Sequence, residues 1–79
     1  MTHAGHSADA VEYFLGPEAA RGGPHALLGL PRTGFTELDV IQARERQLRR
    51  VDEHKEAQTP AADEVRLALH AATAQLLNP

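Results

Sequence analysis

The chain has 79 residues, no cysteine, eight lysines and arginines against eleven aspartates and glutamates, and a formal charge of −3. A single domain of this length buries only about 60–65% of the surface its unfolded form exposes. The missing cysteines exclude disulfides, thiolate nucleophiles and cysteine metal sites, and the acidic balance disfavours nonspecific attraction to phosphate backbones or anionic lipid.

Residues 1–8 combine small polar side chains with two histidines and no periodicity, which reads as a flexible tail ahead of one helical domain over 9–79. The opening Met1-Thr2-His3-Ala4-Gly5-His6 has neither the basic nor the apolar region of an export signal. No apolar run approaches the roughly 20 residues needed to span a bilayer, so a cytoplasmic segment without membrane insertion is expected. Asp9 suits the cap of a brief helix with Glu12 three residues on and Val11, Phe14 and Leu15 as its apolar side; Gly16-Pro17 stops it. Pro24 fits the first turn of a second short helix carrying Leu27 and Leu28, which Gly29 ends before Leu30-Pro31 leads away extended.

Thr36 with Asp39 three residues later is an aspartate form of the capping box, with Phe35 and Val40 placed as a hydrophobic staple. The helix it opens runs from Glu37 to about His54 with Val40, Ile41, Ala43, Leu48 and Val51 as a thin apolar stripe, assisted by the stems of Arg44 and Gln47. The last helix is marked more strongly: Thr59 caps it, Pro60 fits its first position, and Val65, Leu69, Ala72 and Leu76 recur at helical spacing as far as Leu77. The expected core is Phe14, Leu27, Leu28, Leu30, Phe35, Leu38, Leu48, Val51, Leu69 and Leu76, and the expected fold is all-α, a small helical bundle built on a helix hairpin with short N-terminal helices.

Arg44, Arg46, Arg49 and Arg50 lie within two turns, offset only by Glu45. Arg46, Arg49 and Arg50 fall on adjoining parts of one face and offer a positive strip to a partner's carboxylates or phosphates; the plainer reading is a solvated face whose arginines cover leucines. Glu37, Asp39, Asp52, Glu53 and Glu56 flank the strip and weaken a nucleic-acid reading. The link Asp52-Glu53-His54-Lys55-Glu56-Ala57-Gln58-Thr59 is too long for the turn of a DNA-reading helix-turn-helix. Asp52, His54 and Glu56, with His25 or His70, match no recognised metal spacing, and His54 is placed to meet the negative pole of the helix before it. No nucleophile is paired with a base, and no glycine run cradles phosphate. No enzyme, cofactor or metal is therefore expected.

The order of these elements resembles a J domain, the co-chaperone module of DnaJ-like proteins, over residues 24–79. Pro24-His25-Ala26-Leu27-Leu28-Gly29-Leu30-Pro31 resembles the opening segment of that family, the stretch from Asp39 to Val51 its basic second helix, and Leu69 to Pro79 the end of its third. Phe14-Leu15-Gly16-Pro17 followed by His25-Ala26-Leu27-Leu28-Gly29-Leu30 is similar to degenerate J-like segments near the N-termini of large planctomycete proteins. The family's His-Pro-Asp loop falls where this chain has Asp52-Glu53-His54, followed by a matching Lys55, so all three diagnostic positions depart. The resemblance implies a partner-facing basic surface of Arg46, Arg49 and Arg50, and the link residues Asp52, Glu53, His54 and Lys55 are expected to lie beside the same partner. The function expected from residues and resemblance together is non-catalytic protein–protein interaction or adaptor docking to another protein or another domain of a longer chain. The alternatives are a divergent co-chaperone of an Hsp70-like ATPase and, third, a small nucleic-acid-binding domain.

Overall fold

Five helices follow one another in residues 4–78, the part of the chain described by the computed structural model: α1 (Ala4–Leu15), α2 (Pro17–Arg21), α3 (Gly23–Leu28), α4 (Glu37–Asp52) and α5 (Pro60–Leu77). No strand occurs among the described residues. The chain is therefore a small all-α bundle, with a Cα radius of gyration of 12.0 Å.

The helix ends are fixed by local chemistry. The Thr36 hydroxyl accepts from the Asp39 N–H at 3.1 Å while the Thr36 N–H donates to Asp39 Oδ2 at 2.9 Å, so the capping box is complete and two orphan donors of α4 are satisfied. Thr59 caps α5 by accepting from the Ala62 N–H at 3.3 Å, with Pro60 in the first turn. At the end of α3, Gly29 sits at φ 75°, where its N–H donates to Ala26 O and the Leu30 N–H donates to His25 O. This Schellman closure needs the left-handed conformation that glycine adopts freely.

Packing selects one side of each helix. α4 buries Val40, Ala43, Gln47 and Val51, and α5 buries Ala62, Val65, Leu69, Ala72 and Thr73. The two pack along one another more extensively than any other pair, and Ala43 and Ala62, both without exposed surface, let the backbones approach. α1 adds Ala10, Val11, Phe14 and Leu15 to the same cluster, α2 adds Ala19 and α3 adds Leu28. Leu27, Leu30, Phe35, Leu48 and Leu76 pack at its margin.

Three expectations are corrected. Leu38 does not join the core but is 60% exposed, because at about 100° per residue it lies nearly opposite Val40 on α4. Ile41, placed on the same apolar stripe, is 38% exposed. α1 begins at Ala4, so Asp9 is inside the helix instead of capping it and the tail expected over residues 1–8 is helical from Ala4 onward. Docking of Ala10, Val11, Phe14 and Leu15 establishes the helix, and extending an established helix backward costs less than starting one. Met1 to His3, the rest of that tail, lie outside the described residues, as does Pro79.

The corner between α2 and α3 depends on Gly22. A methyl group added there would lie 2.3 Å from the Ala26 Cβ, although its φ of −100° is open to any residue. Gly22→Ala is therefore expected to destabilise the fold by about 1–3 kcal/mol through overpacking. Thermal melts of Gly22→Ala in the wild-type and Ala26→Gly backgrounds check this, with a smaller loss expected in the second.

Candidate functional site

The outward side of α4 is the region that the sequence marks by charge. Leu38, Ile41, Gln42, Glu45, Arg46 and Arg49 are all exposed there, on the side away from Val40, Ala43, Gln47 and Val51. Arg46 and Arg49 take part in no ion pair or side-chain hydrogen bond among the described residues.

The neighbouring arginines are used within the fold. Arg50 donates through Nη1 to Gln47 Oε1 at 3.0 Å and through Nη2 to Leu15 O at 3.5 Å, placing a cation at the C-terminus of α1. Gln47, buried on the same side, donates through Nε2 to Leu27 O at 2.8 Å, so α4 satisfies carbonyls at the ends of both α1 and α3. Arg44 lies on the other flank; its Nη2 pairs with Glu45 at 3.3 Å, and its Nε is buried without a hydrogen-bond partner. All three arginines of the expected strip are exposed, and Arg50 differs from Arg46 and Arg49 in also bonding Gln47 and the end of α1.

The link over residues 53–59 is folded onto the bundle. Glu53 and Lys55 are exposed. Asp52 accepts from Arg66 Nη2 at 2.9 Å and Nε at 3.2 Å, and Arg66 also donates to Asp63 at 2.9 Å and to Ala57 O at 3.0 Å. This one side chain joins the end of α4, the link and the first turns of α5. Its two carboxylate partners hold the guanidinium pKa above its ordinary value. His54 follows the C-terminus of α4, its N–H donating to Val51 O at 3.1 Å, and its ring lies 4.4 Å from Phe14 and 5.3 Å from Tyr13, centroid to centroid. Its Nδ1 accepts from the Glu56 N–H at 3.0 Å, so that nitrogen carries no proton in this arrangement.

Tyr13 completes the clasp by donating its hydroxyl to Glu56 Oε2 at 2.6 Å. That hydrogen bond, and then burial and the carboxylate charge, raise the phenol pKa. The protonated phenol is favoured in the folded state, so this contribution is fully present below the ordinary tyrosine value near about 10 and is lost as pH rises through the higher folded value. Because Tyr13 is the chain's one tyrosine, phenolate absorbance reports it alone; its midpoint is expected to lie above that of free tyrosine and to fall toward it in Glu56→Ala.

Of the expected partner-binding residues, then, Arg46, Arg49, Arg50, Asp52, Glu53 and Lys55 are exposed on α4 and the link, Arg50 and Asp52 also make contacts within the fold, and His54 is half-buried. Tyr13 and Arg66 organise this region and have no counterpart in the sequence reading. Asp63, three residues before Arg66, hints at a helix pair, but nothing local points to Asp52 or to Glu56. His25 packs edge-on against Phe35 and His70 is exposed. No three His, Asp or Glu side chains converge as a ligand set among the described residues. One open groove of about 330 Å³ runs between α1, α2, α3 and α5 and is lined by alanines, Val11, Pro24 and Leu27. A second, of about 340 Å³, opens beside Tyr13 with Asp9 and Glu64 at its edge. No described helix is long and apolar enough to cross a membrane. No family model, curated protein or solved structure matches the chain.

Proposed function

We propose that this chain is a non-catalytic protein-docking module of J-like architecture, acting in the cytoplasm on another protein or on another domain of a longer chain. The observation that carries the proposal is the pair Arg46 and Arg49, exposed and without an internal partner on a helix whose other side is fixed in the core. Two charges held on a rigid helix steer and orient a partner carboxylate surface more than they add to fold stability. The J-like reading is supported by the succession of α3, α4, link and α5 over the stretch of resemblance. Arg46→Glu with Arg49→Glu is expected to weaken a partner recovered by pull-down about tenfold or more while leaving the circular dichroism spectrum unchanged. Undiminished binding would place the interface elsewhere.

The same helix order, with exposed Lys55 directly after the link's histidine, favours divergent Hsp70 co-chaperone activity as the second reading. An ATP-turnover assay with an Hsp70-type ATPase separates the two. Stimulation is not expected, since Asp52 and His54 are committed to Arg66 and Phe14 and no proline stands between the positions of the link's diagnostic triplet.

A further inference from the structure

From the outward face of α4, we infer that the partner element is an acidic amphipathic helix from another polypeptide segment, docking antiparallel with carboxylates in its N-terminal half and apolar side chains in its C-terminal half. This inference rests on the docking reading above and specifies its occupant. The face has two unlike ends: Leu38, 60% exposed, and Ile41, 38% exposed, near the start of α4, and Arg46 and Arg49 nearer its end. Eleven residues of helix separate Leu38 from Arg49, roughly 16 Å at the usual rise. Leu38, Gln42, Glu45 and Arg49 follow one another at intervals of four, three and four, so the apolar and cationic ends share one stripe. Glu45, between them, is engaged by Arg44, leaving the guanidinium groups of Arg46 and Arg49 to an outside acid.

Charge pattern excludes a second copy of this chain as a matched occupant. Two antiparallel copies overlapping fully would set Leu38 against Arg49, an apolar side chain meeting a cation; two parallel copies would set arginine on arginine. A phosphate backbone matches poorly as well, because it offers nothing to Leu38 or Ile41. A helix with its acids first satisfies both ends. Those acids lie near its own positive pole, and its dipole runs opposite to that of α4.

The test uses the full chain and labelled synthetic helical peptides read by fluorescence anisotropy. One peptide carries two glutamates in its N-terminal half and two leucines about two turns later, a second reverses that order, and a third has lysines in place of the glutamates. The acid-first peptide is expected to bind saturably and to weaken with added salt, with the other two at least tenfold weaker. Leu38→Ser with Ile41→Ser, and separately Arg46→Glu with Arg49→Glu, should each weaken it at least tenfold with the helical circular dichroism spectrum retained; the first pair lowers the melting temperature as well, since Ile41 is only 38% exposed. No saturable binding by the acid-first peptide, or equal binding by the reversed one, overturns the inference. If only the arginine pair matters, docking is purely electrostatic: the amphipathic partner falls and the docking module stands. If binding survives both double substitutions, both readings fall. Tighter retention of a duplex oligonucleotide, or self-association abolished by the Leu38 and Ile41 changes, assigns the face to a different occupant and also overturns it.

Discussion

Leu69→Ala is expected to cost about 2–5 kcal/mol, a large part of the roughly 4–12 kcal/mol that a domain of this length possesses. Leu69 has no exposed surface and sits in the cluster shared by α1, α3, α4 and α5. Its backbone carbonyl is also occupied, accepting from the buried Thr73 hydroxyl at 2.8 Å, so the turn around it is held and collapse into the vacated space is restricted. In a chain of this size each kcal/mol lowers the melting temperature by about 4–8 °C. Thermal denaturation should therefore show a large shift for Leu69→Ala and a smaller one for Leu76→Ala, whose side chain lies at the margin of the core. Leu67→Ala, at a position 70% exposed, should change stability by no more than about 0.5 kcal/mol. Equal effects at the three positions would contradict the packing of α5.

The second large effect is expected at Phe14, which is 6% exposed and joins α1 to the link. Phe14→Ala removes a large aromatic from the core and the surface on which His54 stacks, and is expected to cost about 3–5 kcal/mol. Phe14→Leu keeps most of the volume and should cost about 1 kcal/mol. The alanine variant should also release the link locally. Amide exchange at Glu56, whose N–H is bonded to His54 Nδ1, should rise, and the Tyr13 phenol should titrate closer to free tyrosine. Protection at Val65 and Leu69 should fall only as far as the global loss of stability requires. Unaltered exchange at Glu56 would show that the link holds its shape without α1.

This dependence of the link on α1 bears on docking. A loop projecting freely from a helix pair would present all its side chains to a partner. Here Tyr13, Phe14 and Arg66 hold Glu56, His54 and Asp52, leaving Glu53 and Lys55 exposed beside the arginines of α4. A partner of the kind proposed would meet a preorganised surface, with little loop-ordering entropy to lose on binding.

The amino-acid sequence by itself determined where α3, α4 and α5 begin or end, because those signals act within a few residues: Thr36 with Asp39, Thr59 with Pro60, and Gly29 after Leu28. It also determined that Val65, Leu69 and Ala72 face inward, since helical spacing places them together on one side. The spacing of Val40, Ala43, Gln47 and Val51 equally carried the exposure of Leu38, which lies on the opposite side of that helix. Only the tertiary structure decided which polar side chains are spent inside the fold. Tyr13 and Glu56 are 43 positions apart, Arg50 and Leu15 are 35, and Arg66 and Asp52 are 14. Such pairings arise from the way α1 and α5 lie against α4 and its link, a consequence of shared apolar burial that leaves no periodic trace around the polar residues themselves. For the same reason two arginines of one short basic run, Arg49 and Arg50, differ in role: both are exposed, and only Arg50 also closes the end of a neighbouring helix.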